Sequence, residues 1–377
     1  MSRLIFSRKA LAQRMAMTVL TDAVGSASSS GLFLAAPRRT GKSTFLREDL
    51  RPALQSAGAL VLYVDLWADK KADPGQLIVA SVRAELAKHE GVVARLTKSA
   101  GTEKVNIAGL AFSVDRIGLG SQVSLSQALA ALSDEVKQPI VLIIDEAQHA
   151  ITTDLGYDAL FALKAARNEL NSGKHHGQRV VATGSNRDKL AMLRSSKDQA
   201  FFGAPLVAFP ALGKDYIEWF CAGVNLPAAL NAGEVNTLFK RAAYRPEILG
   251  AAADALRFDF ALNAEDVPQR FTEAVLDQIE AVDAQTLRII HALTPLQSAV
   301  LRVLAEQAGR YSPFEDATVA AYQAVLSRIA PQETVRADVS NVQQALLALQ
   351  DKALVWKEKR GVYALEDSTM AQLLGAA

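Results

Sequence analysis

Hydrophobic positions along this chain follow two patterns, short unbroken apolar runs and longer stretches at helical spacing, and the two alternate. Residues 7–24, "SRKALAQRMAMTVLTDAV", carry apolar residues at helical spacing, and "GSASSSG" at 25–31 ends that helix. "GLFLAA" (31–36) suits a buried strand, and "TFLREDLRPALQSAG" then reads as a helix stopped by Gly58. A second buried strand, "ALVLYVDLW" (59–67), is followed by a helix over 75–98 and by a strand or hairpin insertion over 105–114. The helix over 124–138 has Ser124 as its cap. "PIVLIIDEAQ" (139–148) is a strand that ends in acids, and a helix over 156–172, a basic turn "GKHHGQ" and the strand "RVVATGSN" (179–186) complete the series. Strands alternating with helices predict an α/β fold, a parallel sheet with helices on both faces.

Beyond about residue 210 the strands stop. Residues 213–285 read as helices only, and "LTPLQSAVLRVLAEQAG" (293–309) opens a new unit with further helices near 314–329 and 340–351. It ends in "ALVWKEKRGVYALED" (353–367), two short apolar runs around Gly361. Three helices and a hairpin predict a winged helix-turn-helix. The expected division is an α/β core over 1–210, an all-α lid over 211–287 and the winged helix over 288–377. No internal repeat or low-complexity tract interrupts it.

Composition narrows the class. At 377 residues the chain is long enough for two or three domains, and half of it is hydrophobic, which is ample core material. The formal net charge of +1 gives no global field toward nucleic acid or an anionic membrane, so any such contact must come from a local patch. The single cysteine, Cys221, permits neither an intrachain disulfide nor a cysteine metal cluster and fits a reducing cytosol. Arg3, Arg8, Lys9 and Arg14 interleave with apolar residues and precede no uninterrupted apolar core, unlike a signal peptide. No run approaches the roughly 18 apolar residues that span a bilayer. The expectation is a soluble, cytoplasmic protein with no membrane partner.

The candidate chemistry begins at "AAPRRTGKST" (35–44). It matches the phosphate-binding pattern G-x-x-x-x-G-K-[ST] except that Ala36 holds the first glycine position. Such a loop turns backbone N–H groups inward around phosphates, with a helix N-terminus behind them. Ala36, Pro37, Arg38, Arg39, Thr40, Gly41, Lys42, Ser43 and Thr44 would form it. Gly41 lets the backbone approach, Lys42 reaches the β- and γ-phosphates, and Ser43 ligates Mg2+. Alanine at 36 costs little if its φ is negative. The strand "IVLIIDEAQ" supplies the complement: Asp145 would hold the Mg2+ shell, and Glu146 would orient and deprotonate the attacking water. ATP and Mg2+ are the cofactors this pairing implies.

"IFSRKAL" (5–11), "APRRTGKST" (36–44), "VLIIDEAQ" (141–148), "ATGSN" (182–186) and "YRPEIL" (244–249) occur in the order seen in AAA+ ATPases. Over most of its length the chain resembles the archaeal-type ATPases of the STAND group and origin-recognition-like ATPases with a C-terminal winged helix. The resemblance implies a P-loop NTPase fold and several roles. Ile5 to Arg8 would edge the adenine pocket, and Asn186, with Ser185 as the other choice, would be the sensor of the γ-phosphate. Arg245 would be the lid sensor arginine, although Ala242, Ala243 and Tyr244 stand where family members often carry glycines. The segment "MLRSSKDQAFFGAPL" should hold an arginine finger for a neighbouring subunit. Its one arginine is Arg194, Ala204 stands where relatives often have Arg, and Arg187 is the fallback.

Other residues read more plainly. His175 and His176 sit in a basic turn with no accompanying metal motif, His149 follows the two acids and could help position a nucleotide but reads better as a surface residue at a helix start, and Trp219 and Trp356 read as packing anchors. In the 340–352 helix, Val342, Ala345, Leu346 and Leu349 form a buried stripe, leaving Asn341, Gln343, Gln344 and Lys352 outward. Asn and Gln can pair with adenine, and Lys357, Lys359 and Arg360 in the wing could meet phosphates of double-stranded DNA. Yet residues 290–377 hold eight basic and nine acidic residues, so a protein partner or self-association stands beside DNA. Three readings follow. The first is an ATPase switch that acts on DNA or a protein assembly. The second is a nucleotide-gated scaffold with negligible turnover. The third, a small-molecule kinase, is disfavoured by the Asp-Glu pair and the helical lid.

Overall fold

The alternating pattern becomes a parallel sheet. The computed structural model describes residues 4–22, 24–25, 27–69, 71–89, 91–92, 96, 118, 123–332, 336–352, 354–359, 361–366 and 370–376. The expected strand or hairpin over 105–114 lies outside them, as does Arg360. The chain forms two compact units, Met1–Tyr216 and Ile217–Ala377.

In the first unit β1 (Leu32–Ala35), β2 (Leu60–Asp65), β3 (Ile140–Asp145), β4 (Gln178–Gly184) and β5 (Leu206–Ala208) form one sheet in the order β2-β3-β4-β1-β5. Every pairing is parallel. Successive strand residues face opposite sides. Leu34, Val61, Val141, Ile143 and Val181 pack with residues of α1 (Lys9–Leu20), α2 (Lys42–Phe45) and α3 (Arg51–Ser56). Phe33, Leu62, Val64, Leu142, Ile144 and Val180 pack with the helices Pro74–Leu86, Leu125–Val136 and Asp154–Leu170. All six residues of β3 are buried, which is why the run reads as continuously apolar. Each such Val, Leu or Ile contributes roughly 1.5–3 kcal/mol by leaving water.

Local chemistry sets the helix starts. Ser124 and Gln127 form a reciprocal capping box, Asp73 accepts from the amides of Gly75 and Gln76, and Thr153 caps Asp154–Leu170. Gly75 is required by packing, since a Cβ there would fall 2.2 Å from the Leu155 carbonyl oxygen. β5 was not foreseen. It has three residues, only one of them half-buried, too few to show a period.

The second unit contains the helices Ala232–Arg241, Pro246–Arg257, Val267–His291, Pro295–Gln307, Asp316–Ile329 and Val339–Asp351. The antiparallel pair β6 (Val355–Lys359) and β7 (Val362–Leu365) and a short helix, Met370–Ala376, follow. Val267–His291 runs unbroken through the expected 287/288 boundary, and Met370–Ala376 was not foreseen. The stripe Val342, Ala345, Leu346 and Leu349 is buried together with Leu301, Tyr322, Val355 and Tyr363. Trp356 is buried and Trp219 half-buried, as packing anchors should be.

Candidate functional site

The sheet register brings the carboxyl ends of four strands side by side: Ala35 opposite Gly184, and Asp65 opposite Asp145. Between them lies a cavity of about 440 Å³ lined by Pro37, Arg38, Arg39, Gly41, Lys42, Ser43, Thr44, Asp65, Trp67 and Glu146. A larger cavity of about 690 Å³ lies at the opposite ends of the strands, around Asp22, Arg167, His175, His176 and Arg179. Open α/β sheets bind ligands outside the carboxyl ends of their strands. The smaller cavity is therefore the functional candidate.

The loop has the backbone that phosphate binding requires. Ala36 has a negative φ, so its Cβ is tolerated where the pattern has glycine, and its amide donates to the Gly184 carbonyl at 3.1 Å. Gly41 has φ 81° and opens α2, while Arg39 is a non-glycine residue at φ 64°. The Thr40 hydroxyl closes the turn on the Pro37 carbonyl at 2.9 Å.

Lys42 is buried, and its Nζ lies 2.7 Å from Glu146 Oε1. The other Glu146 oxygen accepts from Gln148 Nε2 at 2.5 Å, Ser185 Oγ at 2.8 Å and the Ser185 amide at 3.2 Å. Burial alone would raise this carboxyl, but the Lys42 ammonium, with Gln148 and Ser185, holds it down to about 2. Glu146 itself sits at φ 54°, a left-handed conformation that costs a non-glycine residue roughly 1–2 kcal/mol and turns the chain sharply after β3. Gly184 makes room for Gln148: a Cβ there would lie 2.5 Å from its Oε1.

Asp145 is buried and is satisfied by neutral donors. Thr183 Oγ1 and the Glu146 amide donate to Oδ1, and Tyr63 OH donates to Oδ2 at 3.0 Å. Among the described residues it forms no ion pair. Behind it Arg47 donates to Tyr63 OH at 3.0 Å and to Asp65 Oδ2 at 2.9 Å. Burial and the neighbouring Asp145 push the Tyr63 hydroxyl well above its ordinary value, so it stays a donor. At the rim His149 stacks on Trp67 with ring centroids 4.1 Å apart, and the Arg38 guanidinium lies 5.5 Å from the indole centroid.

The remaining sequence-derived residues divide. Of the two sensor choices, Ser185 touches Glu146, whereas Asn186 Oδ1 accepts from the amides of Asp188 and Lys189 and caps the Arg187–Met192 helix. Arg194 does not line the cavity. It lies in a loop closed by the Phe201 amide on the Leu193 carbonyl and by the Gly203 amide on its own, and its Nε is buried without a partner. Ala204, where the resemblance would place an arginine, is fully buried. The 5–8 segment is held by Ser7 Oγ and the Arg8 amide on Asp49, at 2.5 and 3.0 Å, and by Arg8 on the Pro210 carbonyl at 2.8 Å. Arg245, in the second unit, precedes Pro246–Arg257 and donates to the Ala242 carbonyl at 3.0 Å. His175 Nδ1 lies 2.7 Å from Asp134, and no group of three metal-ligating residues exists among the described residues. Asp65, Trp67, Gln148, Thr183, Tyr63 and Arg47 were missed. The ending "YVDLW" of β2 parallels the "IIDE" ending of β3 and was the available signal for Asp65 and Trp67.

Solved structures share this architecture across the whole chain. The Walker-type ATPase of Pyrococcus abyssi aligns at TM-score 0.52 and 17% identity, covering 98% of this chain and 96% of that one. The ORC2 protein of Aeropyrum pernix in its ADP form aligns at TM-score 0.58 and 14% identity, covering 100% and 95%. The chain has the fold of the origin-recognition-like Walker ATPases. The same Aeropyrum protein in its ADPNP–ADP complexes aligns at TM-score 0.52 and 15% identity. No protein-family model and no curated protein matches the sequence. No helix among the described residues is long and apolar enough to cross a membrane.

Proposed function

We propose that the chain binds ATP with Mg2+ on the Lys42 loop and hydrolyses it as an AAA+/STAND-like switch. The observation that carries this is the convergence of Lys42, Ser43 and Glu146 on one cavity, with Asp145 behind it. The Aeropyrum protein's ADP and ADPNP forms support a nucleotide as ligand. Asp145, contacted only by neutral donors, fits a hydrated Mg2+ together with the Ser43 hydroxyl. The ion supplies charge neutralisation of the phosphates.

Without nucleotide, Lys42 and Glu146 neutralise each other, and a carboxylate held at about 2 is a poor base. Triphosphate entering the loop competes for Lys42 and frees Glu146, whose carboxyl then rises toward its ordinary range. Glu146 takes the proton of the attacking water as the new bond to the γ-phosphorus forms and the β–γ bridge bond breaks. ADP and inorganic phosphate leave. Arg245 enters this reading as the lid arginine by resemblance alone.

The output belongs to the C-terminal unit, whose three helices and hairpin have the element order of a winged helix. Asn341 Nδ2 is engaged with the Arg336 carbonyl and Asp338, and Val339 and Leu347 are exposed on the same helix. Together with the balanced charge, these favour a protein surface over base-edge readout, with double-stranded DNA as the alternative target.

A second reading, a gated scaffold with negligible turnover, is favoured by the closed Lys42–Glu146 pair and by the buried Ala204. Steady-state ATP hydrolysis with Mg2+, with and without double-stranded DNA, separates the two. Turnover abolished by Lys42→Ala and Glu146→Gln supports the ATPase. Tight ATP binding with no turnover supports the scaffold, and absence of ATP binding removes both.

A further inference from the structure

Arg38 and Arg39 are the cations lining this cavity that the roles assigned so far leave unused, and Arg38 is the one whose side chain is held against the site. It is exposed at the cavity wall and makes no ion pair among the described residues, while Lys42 is neutralised by Glu146 and Arg47 by Asp65. Its position is nevertheless defined. The Nε lies 3.4 Å from Ser185 Oγ, and Ser185 Oγ in turn donates to Glu146 at 2.8 Å. The guanidinium lies 5.5 Å from the centroid of the Trp67 indole, and His149, in the turn after β3, stacks on the same indole. Its two terminal nitrogens make no hydrogen bond to a described residue, so the open end of the fork is available to a ligand.

These contacts put Arg38 at the Glu146 end of the loop, the end at which water attack would occur. In the 193–204 segment, meanwhile, the one arginine, Arg194, is half-buried and Ala204 is buried, while the fallback Arg187 is exposed at the start of the Arg187–Met192 helix. We propose that Arg38 is a catalytic residue that donates in cis to the terminal phosphate oxygens in the transition state of ATP cleavage, with Trp67 and His149 as its positioning residues, so that no arginine from a second subunit is needed. The inference rests on the ATPase reading above. Its chemistry is electrostatic: the terminal oxygens carry spread negative charge and the bridging oxygen gains charge as the bridge bond breaks, and a guanidinium fixed there beforehand stabilises this arrangement. Arginine suits the task because its planar fork stays charged and stacks on an aromatic face while still donating.

The test uses the full chain and two readouts. With ATP and Mg2+, Arg38→Ala should lower kcat by on the order of 10²–10³, the cost of one transition-state donor. The affinity for ATP should change by less than about threefold, because an interaction made only in the transition state leaves ground-state binding alone. Arg38→Lys, which keeps the charge but not the fork, should recover only part of the loss, and Trp67→Leu should lower kcat by about tenfold. Wild-type specific activity should not depend on protein concentration. In the second readout, binding of ADP with Mg2+ and aluminium fluoride should weaken at least 30-fold in Arg38→Ala while binding of ADP alone is preserved. An unchanged kcat in Arg38→Ala, equal aluminium fluoride binding by both proteins, or turnover that rises steeply with protein concentration overturns the inference. A wild-type chain that binds ATP through Lys42 but never hydrolyses it overturns the inference and leaves the binding reading standing. Loss of ATP binding altogether defeats the reading beneath it.

Discussion

Ala36, Gly184 and Glu146 show how much of this site is decided by single backbone angles and single Cβ atoms. At position 36 the φ is negative, so alanine replaces glycine without strain. At Gly184 the reverse holds, because Gln148 fills the space a Cβ would take. Gly184→Ala should cost little stability, since the displaced atom is the end of a flexible side chain, but should lower ATPase activity several-fold by dislodging Gln148 from Glu146. Thermal melts beside a turnover assay check both halves. The sensor assignment has a sharper test. If Asn186 acts only as a cap, Asn186→Asp keeps activity near wild type and Asn186→Ala costs about 1 kcal/mol of stability. Ser185→Ala should instead lower kcat at unchanged stability.

Acid titration probes the ion pair. The Glu146 carboxyl is lowered from 4.5 to about 2 on folding, so its stabilising contribution is complete above about pH 4.5 and is lost as pH falls through 2. The stability gap between wild type and Glu146→Gln, measured by denaturant unfolding, should therefore narrow across that window. Lys42, Asp145 and Glu146 were legible in the sequence because their chemistry is written as local patterns. Asp65 and Trp67 had a signal in the ending of β2 that was not used, and Thr183 had none, because only the sheet register carries it to the site.

Elements were legible where hydrophobic period and caps agreed. The six-residue β3 and the capped Leu125–Val136 helix stand close to where the pattern placed them. The three-residue β5 escaped because pairing with β1, not periodicity, makes it a strand. The approach to Pro246 holds two non-glycine residues in a left-handed conformation. Ala243 and Tyr244 have φ values of 52° and 57°, the left-handed region that glycine adopts without strain. The tilt of Tyr244 onto Phe239, with centroids 5.6 Å apart, anchors the second of them. Ala243→Gly should stabilise the protein by about 0.5 kcal/mol, the left-handed penalty less the added chain entropy of glycine. Equal or lower stability in urea unfolding would show that the strain is absorbed elsewhere.

For the whole molecule, the sequence indicated an α/β half followed by helices and a hairpin, and the architecture agrees. The likeness to Walker-type and origin-recognition structures, at 14–17% identity, establishes that fold across both units. The target of the C-terminal unit was not legible, because residues 290–377 balance their charges, and of the outward residues on the Val339–Asp351 helix Asn341 is engaged while Gln343 and Gln344 are exposed. What the fold does make specific is the tie between Lys42 and Glu146, since one lysine must serve both the resting carboxylate and an incoming phosphate. Equilibrium titration of Mg2+ and ATP into the full-length wild type, Lys42→Ala and Glu146→Gln tests that tie most directly. The account predicts binding by the wild type, at least tenfold weaker binding by Lys42→Ala, and tighter binding by Glu146→Gln, whose lysine is no longer neutralised. Equal affinity in wild type and Lys42→Ala would contradict it.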